Sequence, residues 1–297
     1  MFSIHDTLTD KILMVFVYIL LVLLLITMIY PFWDQLIMSL STRDASLRGG
    51  FRLWTWPISW AGYRVVLQSK ELGIAFLNTI FRVVAGTLWT VFITALTAYP
   101  LSRDDFPMRG LFTGLILFTM WFGGGLIPGY LLRKSLGLLD KRLVLILPGI
   151  GAYNIIIMRS FFRSIPREMQ EAAQLDGASD FALWLRVIMP LSKPVLATIA
   201  LWSAVGHWNA YFDVLIYITD RTKYTLQIIL RRALLESEMA AMGMEPGPEF
   251  YDPNVQRPTE PTVKAALLMV TTVPVLLVYP FLQRYFIKGI MLGSLKG

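Results

Sequence analysis

The segment Ser164-Ile-Pro-Arg-Glu-Met-Gln-Glu-Ala-Ala-Gln-Leu-Asp-Gly-Ala-Ser-Asp180, continuing as Phe181-Ala-Leu-Trp-Leu-Arg-Val-Ile-Met-Pro190, decides how this chain is read. Ser164 is a candidate N-cap, and Pro166 falls in the first turn, where its missing N–H costs nothing. A short helix is predicted from there to Leu175. Asp176-Gly177 then supplies a left-handed stop. Ser179 or Asp180 caps a second helix, expected to end at Met189 because a proline disfavours helical backbone in the residue before it. The product is helix, glycine turn, helix, lying outside a membrane while apolar runs lead into it and away from it.

Working outward, those runs set the fold class. A bilayer core of about 30 Å needs roughly 20 apolar residues as a helix. Runs meeting that need cover 12–30, 74–101, 111–130, 143–162, 195–218 and 262–286. The first carries no charge and ends at Pro31; it is long and lacks a small-x-small cleavage site, so it reads as a span rather than a signal peptide. The 297 residues are 56% hydrophobic and 16% charged, with a mean hydropathy of +0.58. Soluble domains carry about 45–50% apolar and about 25% charged residues. Disordered, collagen-like and ordinary soluble enzymatic classes are excluded. The expectation is an all-α polytopic membrane protein with six transmembrane helices, one domain over 1–297, the elbow at 164–194 on one side and long loops at 34–70 and 220–260 on the other. The second of these loops, punctuated by Pro246, Pro248 and Pro253, reads as irregular.

Several chemistries are absent from the sequence. With no cysteine, disulfides, thiolate metal sites and cysteine nucleophiles are unavailable, and two histidines, His5 and His207, do not make a multi-histidine metal site. The net charge of +7 forms no basic stripe that would suit nucleic acid. It is spread through segments flanking the apolar runs, where lysine and arginine meet the lipid surface. Basic residues are equally dense on the two sides of the predicted topology, so charge bias does not orient the chain. No Gly-x-x-x-x-Gly-Lys-Ser/Thr phosphate loop is present, so ordinary nucleotide binding is not expected of this chain.

Glu171-Ala-Ala-Gln-Leu-Asp-Gly177, with Pro190 in register, resembles the "EAA" loop of ABC importer permeases. Asn78-Thr79, Ala98-Tyr-Pro-Leu-Ser-Arg103, Gly124-Gly-Leu-Ile-Pro128, Gly206-His-Trp-Asn209 and the tail Phe286-Ile-Lys-Gly289 to Lys296-Gly297 extend the likeness over nearly the whole chain. Together they look like the maltose-type carbohydrate uptake family, in its large-oligosaccharide subgroup, at the position of the second, six-span permease. Pro100 departs from the family's usual alanine and is expected to kink the second span. The resemblance implies a type I ABC importer permease fold, alternating access and no catalysis by this chain. It also implies import of sugars, with the subgroup pointing to oligosaccharides such as alginate or pectin fragments. Implied partners are a homologous second permease, two cytoplasmic ATPases carrying ATP and Mg, and an extracytoplasmic solute-binding protein, all at a bacterial inner membrane. The elbow and both termini would then be cytoplasmic. Glu171, Ala172, Ala173, Asp176, Gly177 and Pro190 would couple to the ATPases, and Lys288, Gly289 and Lys296 in the tail would reach them too.

Other residues keep two readings. Inside the fifth span Asn209 and Asp213 are four apart and share one helical face, lining a path, or else packing against a subunit or sitting hydrated at the interface. Arg82, about two turns into the second span, meets an acidic sugar in a cavity, pairs with a carboxylate or reaches headgroups. His207 suits a packing hydrogen bond better than a proton relay. Trp54, Trp56, Trp60 and Tyr63 suit an interfacial belt better than a sugar platform. Gly123-Gly124-Gly125 with Pro128 should break the third span, as a hinge or cavity wall. The rival from another class is a stand-alone carrier driven by H⁺ or Na⁺, which would need intramembrane acids around a midplane site and leaves the elbow unexplained.

Overall fold

The computed structural model describes residues 8–147, 149–241 and 259–294. All regular structure among them is helical. In chain order the α-helices are α1 (Leu8–Ser39), α2 (Arg43–Leu47), α3 (Ala61–Gln68), α4 (Lys70–Ser102), α5 (Arg109–Trp121), α6 (Leu126–Ser135) and α7 (Ala152–Ser164). Then follow α8 (Arg167–Leu175), α9 (Asp180–Leu183), a π turn (Trp184–Ile188), α10 (Met189–Leu191), α11 (Lys193–Asn209), α12 (Phe212–Tyr217), α13 (Leu226–Ala241) and α14 (Glu260–Ser294).

Three of these helices are long and apolar enough to cross a membrane, over Asp10–Ser39, Lys70–Ser102 and Glu260–Leu277, and two bent pairs raise the number to five. The bends have local causes. At the third predicted span, α5 and α6 meet at 117°. There Gly125 has φ +80°, a conformation that only glycine takes without strain. The second bent pair, Asp180–Leu191 with Lys193–Asn209, turns by 81° at Ser192, where the elbow's second arm meets α11. At the far end of α11, within the fifth predicted span, Ala210 is extended, with ψ 126°, and a separate helix, α12, starts at Phe212. Asn209 and Asp213 therefore lie on two helices rather than on one continuous face. The fourth predicted span, 143–162, is likewise not one helix: a 3-10 turn over Arg142–Leu145 precedes an irregular stretch and the 13-residue α7. The second long loop contains a regular element that turn residues had concealed, since α13 runs for 16 residues within it. Its proline-rich part, Met242 to Pro258, lies outside the described residues.

The chain packs as two units. One comprises residues 1–69 and 233–272. In it α1 presents an apolar surface outward along its length, from Ile12 to Trp33. The segment after α1 is fixed by short polar bonds. Ser39 Oγ meets the Tyr63 hydroxyl at 2.9 Å and Ser46 Oγ meets Thr259 Oγ1 at 2.6 Å, while Trp33 Nε1 donates to Leu53 O at 3.0 Å. α3 lies against the start of α14 at Gly62, where an added Cβ would stand 3.0 Å from Thr262. Trp54, Trp56 and Trp60 remain well exposed.

The other unit comprises residues 70–232 and 273–297. α4 is its axis and packs on α7 and α11 through one core of Ala95, Ala98, Tyr99, Ile155, Met158, Phe162, Trp184, Ile188 and Ile199. Small residues on α4 let these helices approach closely, the usual basis of helix association in lipid. A second core joins Ala75, Val144, Trp208, Val214, Tyr217, Tyr224, Leu226 and Ile228 at the opposite end of α4. α4 runs through Pro100 and ends two residues later, at Ser102.

Candidate functional site: an exposed elbow and a polar clasp

The elbow forms much as its residue types dictate, with two differences. Ser164 is the last residue of α7 and donates its hydroxyl to Phe161 O at 2.7 Å, so Pro166, not Ser164, stands at the cap of α8. After α8, Asp176 has φ −76° and Gly177 φ +80°, and Ala178 N closes the turn on Ala173 O at 3.0 Å. Ser179 then accepts from Ala182 N and caps α9. The second arm does not end at Met189. It passes through the π turn at Trp184–Ile188 and on through Pro190 to Leu191. A widened turn relieves the clash between a proline ring and the preceding carbonyls, which is why a helix survives a proline there. Nothing on α8 is buried, and Leu175 at its tip is 89% exposed. A nine-residue helix that buries no face is too short to be stable alone. What holds it in place must come from outside the helix.

What holds it is a set of ion pairs to the loop between α4 and α5. Arg103 forks onto Asp105 and also reaches Asp180 at the start of α9. Asp104 receives Arg109 from the first turn of α5 and Arg167 from the first turn of α8, with Arg163 Nη2 3.6 Å away. Arg109 beside Asp104 keeps that carboxyl below the usual range, helped by Arg167 and Arg163. The bond from Arg103 does the same for Asp105 and pushes the Arg103 guanidinium up in turn. Single exposed pairs contribute little, but several charges on one carboxylate form a network that fixes geometry. Of these residues, Asp104, Asp105 and Arg109 are absent from the sequence motifs above. Their signal was Asp104-Asp105 framed by Arg103 and Arg109 immediately after an apolar run.

The residues considered for a path assemble differently from expectation. Arg82 is 3% exposed. It forms a two-pronged pair with Asp213, one prong at 3.0 Å, and Nη1 also donates to Ala210 O at 3.2 Å. It thereby spans the break between α11 and α12, satisfying a carbonyl that the interrupted helix leaves free. In a bilayer such a carbonyl must find an internal partner. Asn209 flanks the break and joins neither bond. One turn before Arg82, Asn78 Nδ2 donates to Thr222 O at 2.8 Å and to Tyr224 O at 3.0 Å. Thr79 Oγ1 accepts from Leu226 N at 2.9 Å. One face of α4 thus clasps the chain from Ala210 to Leu226. His207 packs on Gly86, whose missing Cβ leaves room for the imidazole; an added Cβ would lie 2.5 Å from Nε2. Trp208 is buried edge-on against Phe76. Gly124 lies in the break between α5 and α6, with open space around it.

Beyond this clasp, Asp140, itself at φ +58°, accepts from Thr219 N, Thr219 Oγ1 and Asp220 N, and Lys223 bonds its carbonyl at 2.7 Å. The Thr219 hydroxyl is the main reason its carboxyl sits below the ordinary range. Thr222 and Lys223 lower that of Asp220 to about 2. Lys288 and Gly289 fall within α14, where side chains are not described, and Lys296 lies outside the described residues.

Comparison with known proteins agrees with this geometry. A polygalacturonan/rhamnogalacturonan transport system permease protein of Bacillus subtilis, YtcP, is 38% identical over 91% of this chain and 93% of its own length. Protein LplC of the same organism is 38% identical over 91% of this chain and 90% of its own. Among solved structures, a bacterial ABC transporter involved in the import of the acidic polysaccharide alginate matches with a TM-score of 0.84 at 33% identity, covering 96% of this chain and all of that one. The family model described as "Binding-protein-dependent transport system inner membrane component" matches residues 4–292. An exposed elbow between membrane helices, Glu-Ala-Ala and glycine in register, and this breadth of likeness lead to one conclusion: the chain belongs to the family of inner membrane permease components of binding-protein-dependent ABC importers.

Proposed function

We propose that this chain is one of two homologous permease subunits of an ATP-driven importer of acidic oligosaccharides, working by alternating access. The observation that carries the reading is α8: a short helix with no buried residue, stopped by a left-handed glycine and mounted on the α4–α5 loop by ion pairs. Its fit is to a cleft on another protein, and the chain has no phosphate loop with which to supply its own energy. Two cytoplasmic ATPases would grip Glu171, Ala172, Ala173 and Asp176, with Gly177 and Pro190 shaping the elbow and the tail at Lys288, Gly289 and Lys296 as a further contact. ATP and Mg would reside on those partners, and an extracytoplasmic solute-binding protein would deliver the sugar.

With the elbow cytoplasmic, six spans follow, and both termini share its side. Five are the three long helices, the bent pair α5–α6, and α11 with α12, which the elbow's second arm leads into. The sixth is 143–162, in which a 3-10 turn precedes α7. Moving such a transporter from 1:99 to 99:1 between its two states takes about 5.5 kcal/mol of differential binding. A helix held through a salt-bridge network transmits that as rigid-body motion.

The acidic class rests on the relatives, since polygalacturonan is a galacturonate polymer and alginate is named as acidic. Arg82 does not serve as its cation, being committed to Asp213. Uptake by the complete importer in proteoliposomes tests the reading. Oligouronates should enter only with ATP inside, and neutral oligosaccharides of equal length should not. Uptake driven by a proton or sodium gradient without ATP would contradict it.

A further inference from the structure

We infer that the arginines around Asp104 form a binding site for the phosphate of an anionic phospholipid. The site lies where three apolar helices end together: just after α4, at the first turn of α5, and at the last turns of α7. Arg109 and Arg167 bond Asp104, and Arg163 approaches it at 3.6 Å. Arg159, one turn before Arg163, donates Nε to Leu101 O at 2.8 Å. Arg103 takes both Asp105 and Asp180, a trio that carries one net negative charge of its own. Three guanidinium groups therefore gather on Asp104 with Arg159 beside them, and over the whole cluster five arginines against three aspartates leave a surplus of two positive charges. Of the acids of α8, Glu168 follows Arg167 in the first turn and Glu171 lies a turn further on, both exposed.

Such a surplus repels itself unless an anion joins it, and the geometry suits one. Side chains of Arg163 and Arg167 remain 44% and 75% exposed, so donors are free to take further acceptor oxygens. Arginine forks match phosphate oxygens in pairs. The surface next to the cluster identifies what carries the phosphate. Leu111, Phe112 and Leu115 of α5 turn outward beside Arg109 and give acyl chains an apolar bed. Basic pockets between helix ends at a membrane surface bind anionic headgroups, each cation contributing about 1 kcal/mol. The inference needs only the membrane location of the family and not the coupling role of α8.

The intact importer, purified with its partners and titrated by native mass spectrometry with phosphatidylglycerol, tests it. Phosphatidylcholine of the same chains and inorganic phosphate serve as the two controls. Phosphatidylglycerol should bind preferentially. R163Q and R167Q should each weaken it about fivefold. D104N, which removes the competing carboxylate, should tighten it by a similar factor, a direction that mere loss of structure would not produce. R163K should retain binding and so separates charge from folding. Equal retention of the two lipids overturns the proposal. So does indifference to R163Q and R167Q, or displacement of phosphatidylglycerol by millimolar phosphate.

Discussion

Replacing Asp213 by asparagine tests the clasp at the broken helix. Arg82 is 3% exposed, whereas the Asp213 side chain is 29% exposed, so the two partners do not depend on each other equally. D213N leaves a guanidinium buried with an amide and a carbonyl for company. Breaking a buried pair from that side costs about 3–5 kcal/mol. R82M strands a carboxylate that water still reaches, and a lower cost, about 1–3 kcal/mol, follows from losing its bonds. The double variant R82M/D213N removes the stranded charge altogether and should recover part of what D213N loses. For a chain of this size the D213N loss corresponds to a fall of about 10 °C in the unfolding midpoint. Scanning fluorimetry of the purified importer, with the three variants side by side, gives the order: D213N lowest, then the double variant. A D213N midpoint within about 1 °C of the parent, or a double variant below both singles, would refute the reasoning.

Three further outcomes follow. G177V should leave the importer assembled but uncouple ATP hydrolysis from uptake. A Cβ at Gly177 meets nothing within 4 Å, so the loss is backbone strain at φ +80°, about 1–2 kcal/mol, and G177N should largely restore uptake. G86A should drive a methyl into the His207 ring and lower stability by about 1–3 kcal/mol. Adding H207A should relieve it, which thermal unfolding will show. The latch of Asp140 and Asp220 should weaken only in acid. Their folded-state carboxyls sit below the ordinary value of 3.8, to about 2 for Asp220, so their contribution is complete above pH 4 and is lost as pH falls toward 2. Hydrogen exchange at the amides of Thr219 and Asp220 should stay slow from neutral pH to about 4 and quicken below it once base-catalysed chemistry is corrected for. Latch amides that open near pH 6 would contradict this.

Much of the fold was legible where one local rule decided it. Gly177 declared a left-handed turn, Ser179 a cap, and the three glycines at 123–125 a broken span. Failures came where distant parts of the chain overrode the local rule. Pro190 stops a helix by itself, but a π turn upstream accommodates it. Asn209 and Asp213 are at helical spacing, yet the helix breaks between them because Arg82, far off in sequence, can satisfy the carbonyl at Ala210. The clasp made by Asn78, Thr79 and Arg82 was visible as polar residues in an apolar run, though their partners at 210–226 were not. Asp104 escaped notice because its meaning depends on arginines from α5, α7 and α8 that only packing brings together.

The coupling role of α8 is tested most directly by photo-crosslinking from Ala173 and Asp176 in the assembled importer during turnover. The account predicts adducts with an ATPase subunit from both positions, in yields that change when ATP is bound. Adducts confined to lipid or to the other permease, with uptake intact, would contradict it.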